Sequence, residues 1–351
     1  MFLIKKENKR FNKNRHTSFI LAGDIGGTKT NLGIFGIKGR IPALLLSFQF
    51  KSMELKGLHA AVNEVLSYAG KNYRLKITKA CFAVAGVLSN KRDYVKITNA
   101  KWDVGKSRLL RKTKLKNILL INDFEAVGYG ISMLKQNDIV EVKKARKIPK
   151  APVVVVGAGT GLGKTTLIYD ENHNSYTPMP SEAGHSDFAA QTLEELELVN
   201  FIKRYRSIRQ SVSYEDILSG KGLTNIYFFL RKAGKSKPTK MSVLIEKSKN
   251  QPELISKYRK YDKTCAAAFK IFKNAYARFA KNCALDSLAF GGVYIAGGIA
   301  PKNRDIFGRD FAKAFEDSSK HADILKKMPI YLVLNQNAGL LGAGFAGAKF
   351  L

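Results

Sequence analysis

Hydrophobic and polar positions fall in short blocks punctuated by glycines. Leu21–Phe35, LAGDIGGTKTNLGIF, is an apolar run, a turn at Gly26-Gly27 and a second alternating run, which predicts a β-hairpin. A third strand is expected at Ala43–Phe50, and Leu58–Ala69 carries apolar residues at helical spacing. Ile77–Ala85 reads as a buried strand stopping at Gly86, and Tyr94–Ile97 as a short strand. Ile118–Ile121 is a compact apolar strand ending at Asn122-Asp123, and Glu125 to Leu134 predicts a helix. Lys143–Lys150 is a charged connector, suited to a domain junction. The second half then starts over: Val153–Val156, a glycine-rich turn and a strand-like Thr165–Tyr169 repeat the hairpin, so the chain reads as two related halves. Helices dominate next, over Leu193–Tyr205, Leu223–Ala233 and Tyr261–Leu285. Val293–Ala296 and Ile330–Leu334 are strands, Gly297-Gly298 is a turn, and Gly339–Lys349 has the small residues of a closely packed helix.

Composition adds bounds to this pattern. A chain of 351 residues accommodates two domains, and 45% hydrophobic with 25% charged residues is an ordinary globular balance. No run approaches the roughly 20 apolar residues that span a bilayer, so no membrane partner is expected. The start, MFLIKKENKRFNKNRH, lacks the charge-then-apolar order of a secretory signal, and the cytoplasm is the expected compartment. Residues 1–16 are basic and aperiodic, which predicts a disordered tail. Cys81, Cys265 and Cys283 form no CxxC pair, which argues against a disulfide framework or a cysteine-built zinc site. The charge is unusual: 60 Lys and Arg against 28 Asp and Glu give +32. Such a balance favours anionic partners, ATP among them. The basic residues are spread along the chain, as in Lys71–Lys79, Lys143–Lys150 and Lys232–Lys240. No zinc finger, RNA-binding aromatic motif or helix-turn-helix focuses them, so no specific nucleic acid is expected.

Four stretches carry candidate chemistry. At the first turn, amides around Gly26-Gly27 and the Thr28 hydroxyl can face phosphate oxygens, and Asp24 can hold Mg²⁺ through water. An ordinary hairpin with a solvated Asp fits the same residues. Ala158–Thr165, AGTGLGKT, nearly matches the phosphate-loop pattern GxxxxGK[ST], but that loop must open a helix. Thr-Thr-Leu-Ile-Tyr-Asp follows here, so a second phosphate-facing hairpin with amides from Gly159 to Gly161 fits better. Asp123 stands at a strand's carboxyl end, either as a catalytic carboxylate or as the cap of the next helix. Ser181–Phe188, SEAGHSDF, puts Glu182 and His185 about one turn apart, in one pocket or as a solvated turn, and Glu215 is unremarkable alone.

Taken in order, DIGGT, TNAKW, INDFEA, GAGTGLG, SEAGHSDFA, YEDILSGKGL, FGGVYIAGGI and NAGLLGAG resemble the bacterial glucokinase family, within the superfamily of sugar kinases, actin and heat-shock ATPases. The resemblance runs from about residue 18 to the C-terminus. It implies an α/β, two-domain ribonuclease-H-like (actin-like ATPase) fold with an interdomain cleft. The smaller domain would hold residues 17–133 plus 335–351, and the larger one residues 134–334. It further implies ATP-dependent phosphorylation of D-glucose at the 6-hydroxyl, with Mg²⁺, in a homodimer. Gly23, Asp24, Ile25, Gly26, Gly27 and Thr28 match the first phosphate motif and Gly159, Thr160 and Gly161 the second. Gly297 and Gly298 fall where the family forms part of its adenosine pocket. Asn99, Asn122, Asp123, Glu182, His185 and Glu215 match sugar-binding positions, with Asp123 as the base. A kinase for mannose or an amino sugar, and a sugar-sensing protein without turnover, are the competing readings.

Overall fold

The computed structural model describes residues 3–7, 12–39, 42–97, 101–232, 234 and 237–351. Its first part runs β1 (Leu3–Glu7), β2 (Ser18–Ile25), β3 (Lys29–Ile37), β4 (Ala43–Lys51), α1 (Leu58–Tyr73) and β5 (Lys79–Val84). A small ladder of β6 (Tyr94–Val95) and β7 (Val104–Gly105) precedes α2 (Lys106–Lys112), β8 (Asn117–Asn122) and α3 (Asp123–Ile131). Next come β9 (Ile139–Lys143), β10 (Val153–Ala158), β11 (Leu162–Asp170) and β12 (Ser175–Met179). Helices follow: α4 (Leu193–Arg206), α5 (Gly220–Lys232), α6 (Lys240–Lys247), α7 (Gln251–Tyr258) and α8 (Lys263–Ser287). The chain closes with β13 (Gly292–Ala296), α9 (Arg309–Glu316), α10 (Ala322–Lys326), β14 (Ile330–Val333) and α11 (Ala338–Phe350).

These elements form two units. The first holds Met1–Lys135, Asp170–Pro180 and Asn337–Leu351, and the second Gln136–Tyr169 and Ser181–Gln336. In the first, the sheet order is β1-β4-β3-β2-β5-β8. The β2–β3 hairpin is antiparallel, pairing Asp24 with Asn31, whereas β2, β5 and β8 run parallel. One sheet face is covered by α1, which buries Leu58, Ala61, Val62, Val65 and Ala69 at the spacing of a single helical stripe. On another face α11 meets α3 so closely that side chains cannot intervene. A Cβ on Gly342 would lie 1.7 Å from the Ala126 carbonyl oxygen, and one on Gly130 2.1 Å from that of Ala338. The expected disordered tail is ordered over Leu3–Glu7, which adds an edge strand to β4. Edge pairing rests on backbone groups of a distant strand, so an aperiodic sequence gives no sign of it.

The second unit repeats the plan. Its sheet contains β11-β10-β13-β14-β9, with β10–β11 antiparallel and β10, β13 and β14 parallel. The four valines Val153–Val156 are buried, as a strand covered on both faces requires. Its core is aromatic-rich: Tyr227, Phe272, Tyr276, Phe279, Phe311 and Phe315 are all buried within one cluster. One expectation is corrected here and another is borne out. Lys143 does not open a charged connector but ends β9, antiparallel to β14. Its buried Nζ donates to the carbonyls of Leu325, Lys326 and Met328, each at 2.8 Å, and lies 3.2 Å from Glu316. The stretch after Gly163-Lys164 is strand β11, with Lys164 opposite Val156, so the phosphate-loop reading is excluded.

Candidate functional site

In the first unit, register places the candidate residues at one end of the sheet. Ile25 pairs with Val84, and Val84 with Asn122, so Asp24-Ile25 and Asn122-Asp123 emerge two strand spacings apart, roughly 10 Å. The Gly26-Gly27 turn is closed by the Gly26 amide donating to the Lys29 carbonyl at 2.9 Å. Ser52 pins it from outside: its hydroxyl donates to Gly26 O at 2.6 Å and its amide to Thr28 O at 3.0 Å. Trp102, from the TNAKW stretch, donates its indole N–H to the Ser52 carbonyl at 3.0 Å. Neither Gly26 nor Gly27 is left-handed, so here glycine serves by leaving the amides uncovered. Gly23 is a packing residue, since a Cβ there would lie 2.7 Å from Phe82. The Ile25 side chain is buried in the core and offers only its backbone, while Thr28 is exposed.

Asp24 is hydrogen-bonded to Asn31, which in turn accepts from the Gln49 amide at 2.9 Å. Burial raises its pKa above the usual carboxylate value, and the Asn31 bond works against that rise. A Cβ on Gly339, in the first turn of α11, would lie 3.3 Å from the Asp24 carboxyl carbon. Asp24 therefore stands beside a helix N-terminus, which favours negative charge. One hard carboxylate suits Mg²⁺, which takes few protein ligands and is carried largely by substrate phosphates. Among the described residues no cluster of three or more His, Cys, Asp or Glu side chains is placed to hold a metal without such help.

The turn into α3 resolves the question of the cap. Asn122 is the N-cap: its Oδ1 accepts from the amides of Phe124 at 2.8 Å and Glu125 at 3.2 Å, and its Nδ2 donates to Gly86 O. Glu125 answers by accepting the Asn122 amide at 3.3 Å, which completes a capping box. Its other tie is Arg92, at 2.6 Å. Asp123 is thus the first helical residue and not the cap, with Oδ1 accepting the Phe124 amide at 2.9 Å. Asn99 lies outside the described residues.

The second unit brings its candidates together around the β10–β11 turn. Gly159 donates to the Gly161 carbonyl at 2.8 Å, closing a turn from which Thr160 is exposed. Glu215 Oε2 accepts the Leu162 amide at 2.8 Å, and a Cβ on Gly161 would lie 2.7 Å from that oxygen. The Glu215 amide donates to Gly184 O at 2.8 Å, tying two distant stretches of sequence together. His185 stands between two carboxylates, with Nδ1 3.2 Å from Glu182 and Nε2 3.7 Å from Glu215. Half-exposed, this cluster offers donors and acceptors in alternation, as recognition of a polyol needs. Gly297 is left-handed at φ 85°, and a Cβ there would meet the Ala158 carbonyl oxygen at 2.4 Å. Gly298 faces open space and donates no such constraint.

Three supporting residues escaped the sequence reading. Glu125 had a signal, the N-x-x-E spacing of a capping box at Asn122. Ser52 and Tyr276 had none, because their contacts span 26 and 118 residues; Tyr276 OH accepts the Ala158 amide at 3.0 Å.

Comparison with known proteins completes the picture. The Glucokinase family model matches residues 21–349. A glucokinase from Nostoc sp. is 35% identical over 347 residues, covering 95% of this chain and 99% of the relative. Among solved structures, glucokinase from an Antarctic psychrotroph superposes with a TM-score of 0.77 at 25% identity, over 95% of this chain and 100% of the other. Glucokinase from Balamuthia mandrillaris, solved with glucose, gives 0.78 at 21% identity, over 94% and 93%. These likenesses bear out the expected α/β, two-domain actin-like ATPase fold. With the family model and a relative of this identity both spanning nearly its whole length, the chain belongs to the glucokinase family.

Proposed function

We propose that the protein transfers the γ-phosphoryl group of ATP to the 6-hydroxyl of D-glucose, giving glucose 6-phosphate and ADP and so feeding glycolysis. The observation that supports this most is the Glu182–His185–Glu215 cluster, a polyol-type set of hydrogen-bonding groups tied to the Leu162 amide of a glycine-rich turn. Sugar recognition and phosphate recognition are thereby coupled through one side chain, Glu215. Phosphoryl transfer to an alcohol is mainly positioning and charge neutralisation. Amides of the Gly26-Gly27 and Gly159–Gly161 turns would face the phosphates, and Gly297-Gly298 would border the adenosine. Mg²⁺, when bound, supplies charge neutralisation at the phosphates, and Asp24 would hold it through water. Asp123 takes the proton of the 6-hydroxyl, while Glu182, His185 and Glu215 orient the sugar. Asn122 contributes by setting the turn that presents Asp123. Family likeness extends the reading to a cytoplasmic homodimer.

The test is a coupled assay with ATP and a panel of hexoses, run on wild type and Asp123→Asn. Glucose should give the highest kcat/KM. The variant should bind glucose by calorimetry yet lose on the order of 10²–10⁴ in turnover, the usual contribution of a general base. Higher kcat/KM for mannose or an amino sugar would redirect the substrate assignment. Glucose binding without turnover by wild type would mark a sensor.

A further inference from the structure

A cavity of about 430 Å³ lies wholly within the second unit and shares no residue with the site described above. That volume falls in the range of small-molecule sites, roughly 300–1,000 Å³. Its walls come from the turn after α7, one face of α8 and the segment entering α9. Five cations, Arg259, Lys260, Lys270, Lys273 and Arg309, face two carboxylates, a net of +3. Asp305 is matched by Arg259, and Asp310 by Lys273 at 3.4 Å. Lys260, Lys270 and Arg309 make no ion pair among the described residues.

In so basic a chain, unpaired surface lysines do not by themselves mark a site. Two further features do. The Arg259 side chain is only 13% exposed, lies over the Phe269 ring at 5.5 Å and donates to Ser256 O at 2.7 Å. Its terminal nitrogens hold Asp305 and Ser256 O while its Nε is buried within the wall, so the guanidinium is a fixed cation at the side of the cavity. Beside it Gly308 is the N-cap position of α9, so no side chain caps the helix, and a Cβ there would meet nothing within 4 Å. The first-turn amides of that helix are therefore open to an anion. Phe269 and Ile306 add apolar surface for a carbon skeleton.

We propose that this cavity binds a small organic phosphate carrying two or more negative charges, at a site separate from the substrates. Sugar phosphates and nucleotides share that chemistry, and the experiment separates them. Calorimetry on the full chain, with glucose and a non-hydrolysable ATP analogue saturating, would titrate fructose 1,6-bisphosphate, ADP and inorganic phosphate in turn. One of the two organic probes should bind one to one, more tightly than inorganic phosphate. Lys270→Gln with Arg309→Gln should weaken it at least about tenfold, as loss of two charge-assisted contacts implies. The same charge removed by Lys71→Gln with Lys116→Gln, in the first unit, should change it less than about twofold. Both double variants should keep turnover without probe within about twofold, and Lys260→Gln serves if the first does not fold. Absence of binding at millimolar probe, equal loss in both double variants, or wild-type binding in the cavity variant would overturn the proposal.

Discussion

Replacing Glu125 tests whether the capping box presents the proposed base. In Glu125→Ala the reciprocal bond to the Asn122 amide is lost, a change that costs about 1 kcal/mol for a helix cap. Arg92 loses its partner, but its side chain is 43% exposed and rehydrates, so this adds about 1 kcal/mol and not the 3–5 of a fully buried pair. The one methylene lost from this buried side chain contributes about 1 kcal/mol more. Together the loss is about 3 kcal/mol, or roughly 6–12 °C in the melting of the first unit. Function should suffer beyond stability. Asp123 is the first residue of the helix this box holds, and displacement of a reacting group by about 1 Å costs on the order of 10²-fold. Below the melting transition, Glu125→Ala should therefore lose about 10–100-fold in kcat with a smaller change in glucose affinity. Glu125→Gln keeps an acceptor for the Asn122 amide and should stay within about threefold in kcat. The measurements are steady-state kinetics with saturating ATP and calorimetric melting of both variants. An alanine variant with wild-type kcat, or a glutamine variant as impaired as the alanine one, refutes the positioning argument.

Four other outcomes follow from single sites. Gly342→Ala would drive a Cβ into the Ala126 carbonyl, so α11 and α3 must part; a loss of at least about 2 kcal/mol in chemical denaturation is expected, and a neutral result would contradict the helix contact. Lys164→Ala should cost little activity, within about fivefold, because its Nζ reaches only exposed Asp286 at 3.5 Å; a thousandfold loss would instead give this lysine a direct part in phosphate binding. Asp24→Asn should melt higher than wild type at pH 7 while losing activity. Burial holds the folded pKa above 3.8, so the native state binds the extra proton between those two values and wild-type stability falls as pH rises through that window; the variant's advantage should shrink towards pH 3.8. Burial also pushes all three thiols up, Cys283 to about 12, so Cys81, Cys265 and Cys283 should resist a disulfide reagent at pH 8 until denaturant is added.

What the residues determined by themselves was local. The two hairpins, the α1 stripe and the strands ending at Ile25 and Asn122 follow from period, turn chemistry and β-branched runs, which act over a few residues. The same locality let the sequence reject a phosphate loop after Lys164, because no helix pattern follows it. The eight ordered motifs were enough to find the family. Only tertiary structure decided the rest. Lys143 looked like a solvated connector until β14 and three carbonyls from around residue 326 closed over it. Leu3–Glu7 became a strand because β4 had an edge to offer. Asp123 was the cap candidate in the sequence, yet the cap fell to Asn122, whose side-chain amide reaches two backbone amides and the Gly86 carbonyl at once. Glu182, His185 and Glu215 were three unrelated polar residues in the chain. A hydrogen bond from Glu215 to Gly184, across 31 residues, made them one cluster, and such long-range pairing leaves no period in the sequence to read.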